Sequence, residues 1–501
     1  MSQTNVFCGR NRWIRHLVGF AFFALAVFSG SSGAQTWVPA TPFEGSGAGT
    51  AILRTDGSVL VQELSAPASQ GGSATGNWYI LDPDENGFYS TGTWHFLVPP
   101  PFAYAPLYFA SAVLPDGRIM MEGGEFEFST RAETNQGAIL DQNNIFTAVA
   151  PPSGWTQIGD AQSVILPNGN FMLGNCCNFQ QAILNAKTLT WTLTGNGKLD
   201  SNGEEGWTLL PSKDVLTIDT QNFLGAELYH YQHSNWTAAK SLPFPGLTQV
   251  CLPGTIPEIG PAVLRPDGTV FATGANGFTM IYNYKTNSWT KGPLFPAANG
   301  FQFGVADGPA ALLPNGHVLV MASSIGPCFQ PGALFFSFDG KHLNSEALPP
   351  NSGNEVSFDG RMVVLPSGNI LFTDGTQDVE IYTPVGSASS AWAPTITSFP
   401  SNVTRTDTYT LKGTQFNGLS QGAAYGDDAQ SATNFPLVRI KNNHTGHIRY
   451  QQTKNFSSGV ATGSKIVSTQ FTVEGATETG PSTLEVIANG IASKAVNITV
   501  H

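Results

Sequence analysis

Ala112-Val-Leu-Pro-Asp-Gly117 is an apolar strand end running into a tight polar turn, and the pattern recurs along the chain. Proline sets φ to about −65° at the first corner, Asp, Asn or Ser bonds back to the backbone, and Gly takes the positive φ that a side chain resists. The other copies are Ala51-Ile-Leu-Arg-Thr-Asp-Gly57, Val164-Ile-Leu-Pro-Asn-Gly169, Thr208-Leu-Leu-Pro-Ser-Lys213, Ala262-Val-Leu-Arg-Pro-Asp-Gly268, Ala311-Leu-Leu-Pro-Asn-Gly316 and Val363-Val-Leu-Pro-Ser-Gly368. Each reads as an inner strand entering a hairpin. Lys213 stands where the other copies have Gly, so that hairpin is expected to be strained or built differently.

Successive turns are 60, 52, 44, 55, 48 and 52 residues apart, which brackets the kelch period of about 50. Strand segments such as Asn77-Trp-Tyr-Ile-Leu-Asp-Pro83, Phe278-Thr-Met-Ile-Tyr-Asn-Tyr284 before Ser288-Trp-Thr290, and Asn235-Trp-Thr237 cycle in the same phase. Helical periodicity is absent, and one such unit cannot bury its faces alone. The expected fold is all-β: a seven-bladed kelch-type β-propeller over residues 35–385, in which blade stacking is the core. The repeat stops after Tyr382-Thr-Pro384, and residues 386–392 read as a linker. From 393 to 501 alternating runs such as Leu437-Val-Arg-Ile440, Thr469-Gln-Phe-Thr-Val473 and Thr483-Leu-Glu-Val-Ile487 predict an immunoglobulin-like β-sandwich.

Residues 1–34 read as a signal peptide. Arg10, Arg12 and Arg15 precede the apolar run Leu17 to Phe28, and Ser32-Gly33-Ala34 offers a small-residue cleavage site. That run is short for a span of about 20 residues, so a secreted, periplasmic or envelope location without a membrane span is expected. Loss of the three arginines takes the formal net charge from −12 to −15, which argues against nucleic acid as a partner. A monomer is expected. Of the remaining cysteines, Cys251 and Cys328 are the expected long-range disulfide, and the adjacent Cys176 and Cys177 are left reduced or closed into a vicinal ring.

The arrangement resembles the galactose oxidase and glyoxal oxidase superfamily over nearly the whole chain after the signal peptide. It is most similar to bacterial kelch-repeat proteins carrying Gly413-Thr-Gln-Phe-Asn-Gly-Leu-Ser-Gln-Gly422 and Tyr425-Gly-Asp-Asp428. The resemblance implies mostly unassigned activity. In the superfamily's best-known branch it implies one copper held by two histidines and two tyrosines, one tyrosine linked to a cysteine. The segments corresponding to one histidine position, Val305-Ala-Asp-Gly308 and Phe358-Asp-Gly-Arg361, contain no Tyr-His pair. Tyr229-His230 falls in an outer-strand phase, and His444 and His447 fall near a hairpin turn. Copper and a radical oxidase are therefore not expected.

Nine residues before turn positions 169, 213, 316 and 368 stand Asp160, Glu204, Asp307 and Asp359, with Tyr108 in the same register and Glu258 one residue off. Equivalent positions in a ring converge on its axis. A carboxylate ring there could bind Ca²⁺ through Asp160, Glu204, Asp307 and Asp359, or raise the pKa of one member. The competing reading is that each carboxylate ties neighbouring blades through backbone N–H groups. Glu122, Glu125, Glu133, Asn135, Asn175, Asp219 and Arg361 lie on loops nearby, and a closed Cys176–Cys177 ring would suit stacking on a sugar face. The expected function is ligand binding at the axial face, with carbohydrate or another small polar molecule as partner, no required cofactor and no assigned catalysis. The alternatives are a galactose oxidase-like oxidoreductase, a glycan-cleaving enzyme using the acidic ring, and an envelope adhesion module.

Overall fold

The computed structural model describes residues 36–426 and 431–501, so the segment read as a signal peptide and Asp427-Asp428 lie outside the described residues. Among those residues the chain is all-β apart from three short 3-10 turns. No helix there is long and apolar enough to cross a membrane.

Each hairpin of the repeat closes in one way. The N–H of the residue at the left-handed corner donates to the carbonyl three residues back, as in Gly117 to Leu114 at 2.8 Å and Gly368 to Leu365 at 2.9 Å. Asp116, Asn168 and Asn315 accept the N–H two residues on, at 3.1, 3.1 and 2.9 Å. Lys213 keeps the turn by adopting φ +79°, where its N–H still reaches Leu210 at 2.9 Å. That departure from Gly is absorbed as backbone strain.

Every hairpin starts a four-stranded antiparallel meander. The first sheet runs Gly47–Leu53, Val59–Leu64, Ala74–Asp82, Thr93–Leu97, and the fourth runs Thr208–Leu209, Val215–Ile218, Ala226–His230, Asn235–Ala238. The sixth gains strands on its inner side, where Phe301–Gly304 pairs with Val318–Ile325 and Ala423–Ala424 pairs with Ala310–Leu312. The seventh, Arg361–Val364, Ile370–Thr373 and Glu380–Thr383, takes its fourth strand from the other end of the chain: Thr36–Pro39 pairs with it, Trp37 opposite Tyr382. The inner strand Arg361–Val364 also lies beside Gly47–Leu53 of the first sheet, so first and last sheets meet and the arrangement is a β-propeller. Its core lies between sheets. Phe271 of the fifth stacks on Phe338 of the sixth at 3.9 Å, and fully buried Trp78 of the first meets Phe109 and Phe146 of the second. Each such side chain contributes about 2–3 kcal/mol of burial.

After Ser390 a second set of strands forms two sheets, Thr395–Ser398, Thr408–Thr414, Val467–Thr472, Thr453–Lys454 and a second built on Leu437–Asn442, Gly480–Ala488 and Val496–Val500. Leu411, Phe471, Val438, Val486 and Ile498 are buried together between them. These strands sit against the hairpin-turn end of the ring, where Gly57 abuts Tyr450 and Gly316 abuts Trp392. One segment leaves them and runs along the axis. Gln421 Oε1 accepts the Leu209 N–H at 2.7 Å, Ala423–Ala424 pairs with inner strand Ala310–Leu312, and the Tyr425 hydroxyl donates to Phe358 O at 2.8 Å at the opposite end. On the way back, Ser431 Oγ donates to Ala51 O at 3.3 Å.

Candidate functional site

The axial segment ends where the positions nine residues before each turn gather. Three of those positions, Tyr108, Glu204 and Asp307, share a left-handed backbone, with φ of 54°, 58° and 45°. Non-glycine residues rarely hold that conformation unless their surroundings impose it, and such strain concentrates at functional sites. It turns Glu204 and Asp307 toward Glu258. One carboxylate oxygen from each lies within 4.8 Å of the others, and Glu258 is within hydrogen-bond reach of both partners. Burial pushes the Glu258 carboxyl above its ordinary value, against the opposing hydrogen bonds of Glu204 and Asp307. Gly426 passes so near that a Cβ there would lie 2.5 Å from Asp307 Oδ1, so a side chain at that point would have to displace the Asp307 carboxylate.

Beside the triad, the Arg361 guanidinium lies 3.9 Å from the Tyr425 ring centroid and 5.4 Å from that of Tyr108. Arg361 and Tyr425 are buried, while Tyr108, Glu204, Asp307 and Asp160 are half-buried. Across the mouth, Arg131 pairs with Glu133 at 3.0 Å and Glu125 at 3.3 Å, with Asp160 also bearing on it. Cys176 and Cys177 are joined as a vicinal disulfide, its Cys176 sulfur 3.6 Å from Glu133. A Cβ at Gly159, φ +71°, would collide with that sulfur at 2.4 Å. Cys251 and Cys328 are bonded to each other.

The four-carboxylate metal set expected from sequence is not what the structure assembles. Glu204 and Asp307 meet Glu258, but Asp359 turns to the first sheet, where its carboxylate accepts the Ser69 N–H at 2.9 Å and the Ser69 hydroxyl. Burial raises the Asp359 pKa, offset chiefly by Ser69. Asn175, expected to line the ligand face, is buried and its side chain joins two loops of the third sheet. It donates to Gln157 O at 2.8 Å and accepts the Cys177 N–H at 3.3 Å. Arg361 likewise spends Nη1 on the carbonyls of Phe358 and Gly360 at 2.7 and 2.8 Å, which makes it an organiser of the mouth. Glu122 is fully buried, and burial lifts its pKa well above the usual range. Asn135 bonds Trp155 O at 2.9 Å, and Asp219 belongs to a buried cluster in the fourth sheet. Tyr425 is the residue that periodicity misses, because the axial segment has no phase relation to the repeat.

The residues present do not fit a copper-radical centre. All four described cysteines are in disulfides, leaving none for a link to tyrosine. His230 pairs with Asp214 at 2.9 Å and Thr237 at 2.9 Å, His95 with Asp82 at 3.2 Å, and His447 with Glu478 at 2.7 Å, all away from the mouth. The mouth offers carboxylates, phenols and a guanidinium, a set for hydroxyl groups or a hard cation.

No protein-family model matches the chain, and no curated protein matches it in sequence. Among solved structures it is similar to a streptogramin B lyase, 13% identical with TM-score 0.48 over 70% of this chain and 97% of that one. It is also similar to the extracellular domain of a putative hybrid two-component system from B. thetaiotaomicron, 9% identical with TM-score 0.48 over 93% of this chain and 57% of that one. A third is the WD40 β-propeller domain of Doa1, 11% identical with TM-score 0.41 over 70% and 97%. These neighbours are β-propeller proteins.

Proposed function

We propose that this is an exported ligand-binding protein, a seven-bladed kelch-type propeller of the galactose oxidase-like superfamily capped by an immunoglobulin-like sandwich, which recognises carbohydrate at its axial mouth. The observation that carries this reading is the meeting of Glu204, Glu258 and Asp307 beside Tyr108 at the end of the ring remote from the sandwich. Carboxylates accept sugar hydroxyls in charge-assisted hydrogen bonds, and a half-exposed phenol and a rigid disulfide ring supply flat faces for a pyranose. Calcium at the triad is compatible with the same donors. Catalysis is not part of the reading.

The test is a glycan screen with the mature protein, followed by titration of any binder against Glu258→Gln and Tyr108→Ala. Both variants should weaken binding at least about tenfold, roughly the loss of one charge-assisted hydrogen bond. Binding unchanged in both variants would refute the site. New reducing ends during incubation would replace the binding reading with glycan cleavage.

A further inference from the structure

Glu258 reaches the triad on a strap, residues 249–258 of the connection between the fourth and fifth sheets. The strap is a small hairpin: the Gln249 N–H donates to Glu258 O at 3.1 Å and the Glu258 N–H to Gln249 O at 2.8 Å. Its tip buries little. Val250 and Leu252 are 53% and 54% exposed, a Cβ on Gly254 would meet nothing within 4 Å, and Thr255 bonds back to Leu252. Ile256 is the exception, close enough to Gly203 that a Cβ there would lie 2.6 Å from its Cδ1. Gly203 precedes Glu204, so the strap touches the segment that bears a second triad acid.

The sixth sheet holds the strap down. The Cys251–Cys328 disulfide ties it to the hairpin formed by Val318–Ile325 and Cys328–Phe338, 77 residues on in sequence. Beside that bond, Gln249 Nε2 donates to Ile325 O at 2.6 Å and lies 3.4 Å from Cys328 Sγ. Both cysteines are half-buried, and disulfides that solvent reaches are the ones that thiols cut. A loop with few buried apolar contacts opens at low cost. Carboxylates gathered together repel one another when ionised, so a strap released from the sixth sheet is driven outward with its glutamate.

We propose that Cys251–Cys328 is the latch of this strap, and that its reduction by a small thiol withdraws Glu258 from Glu204 and Asp307, so that the mouth is assembled in the oxidised protein and dismantled in the reduced one. One thiolate attacks the disulfide, bonding to one cysteine sulfur while the other leaves, and a second thiol then displaces the first cysteine. Two thiols are thereby oxidised to one disulfide, and Cys251 and Cys328 each gain a hydrogen. Control of ligand binding by the latch rests on the ligand reading above; the movement of Glu258 does not.

The test labels carboxyl groups of the mature protein with a carbodiimide and glycine ethyl ester, reads the modified residues by mass spectrometry, and follows amide hydrogen exchange alongside. Cys176→Ser/Cys177→Ser leaves the latch as the one disulfide, so dithiothreitol cuts nothing else there. Its reduction should raise labelling of Glu258 roughly tenfold, as a side chain 8% exposed opens to solvent. Exchange should quicken over 249–258 while the strands of the first and seventh sheets are unchanged, and reoxidation should reverse both effects. Cys251→Ser/Cys328→Ser should show the open pattern without reductant. Where Cys176→Ser/Cys177→Ser does not fold, the same rise on reducing the unsubstituted protein, absent in Cys251→Ser/Cys328→Ser, decides the matter. Unchanged labelling of Glu258 once the latch thiols are free, failure of dithiothreitol to free them in the folded protein, or exchange rising through every sheet overturns the proposal. A glycan screen without a binder would refute the ligand reading and leave these results standing, whereas a binder held equally by oxidised and reduced protein would refute the latch.

Discussion

Replacing Lys198 by methionine keeps the length of the side chain and removes its charge, which isolates what the ammonium does in the fourth sheet. Glu205 and Glu227 are each 0% exposed and both hold its Nζ, and the ammonium also lies 5.2 Å from the Trp236 ring centroid. Breaking a buried pair by removing one partner costs about 3–5 kcal/mol because the other charge is stranded. The cost must depend on pH. Burial holds the Glu205 carboxyl up at about 8 even with Lys198 opposing it, and holds Asp219 up at about 7. Without the lysine these folded-state values rise further. A carboxyl with a raised folded pKa keeps its proton in the native state while the unfolded chain has released it. Stability is therefore intact below the unfolded value near 4.5 and falls as pH rises toward the folded value. Urea unfolding of Lys198→Met should show a small deficit at pH 5 and a loss of about 3 kcal/mol or more at pH 8. Equal deficits at the two values, or a variant within about 1 kcal/mol of the parent at pH 8, would refute the argument, since a stranded buried charge cannot be that cheap.

Two further outcomes follow from the repeat and its closure. Trp37 packs edge-on against Phe335 and Phe372 at 5.1 and 5.6 Å and donates to Ala347 O at 2.7 Å. Trp37→Ala should cost about 3 kcal/mol and should raise hydrogen exchange in Glu380–Thr383 first; uniform exchange would show that the terminal strand does not latch the ring. Lys213→Gly relieves the φ of +79° and should stabilise the protein by about 0.5–1 kcal/mol, measured as a higher urea midpoint with unchanged slope, whereas a lower midpoint would mean that the lysine side chain compensates for its backbone.

Much of the fold is legible because turn chemistry is local. A Pro-Asp-Gly or Pro-Asn-Gly corner needs no distant partner, and every such corner in the sequence forms the hairpin it predicts. Even Lys213 could be marked in advance, since its difficulty is a property of one φ angle. Ring closure could not be read in this way. Thr36–Pro39 joins a sheet whose other strands begin at Arg361, and pairing across that separation leaves no local mark. The site divides along the same line. Glu204 and Asp307 share a register visible in the repeat, so their convergence followed from counting. Asp359 shares it too, yet Ser69 intercepts it from a loop whose course the register does not describe. Tyr425 arrives from outside the repeat altogether. Glu380-Ile-Tyr-Thr383 reads as an ordinary strand, and only its neighbours reveal that the acid is buried among other acids.

The axial segment ties the second set of strands into the ring. Gln421, Ala423–Ala424 and Tyr425 bond in turn to Leu209, to the inner strand Ala310–Leu312 and to Phe358, so the two sets of strands cannot part without breaking bonds among the inner strands, and heating is expected to melt them in one transition.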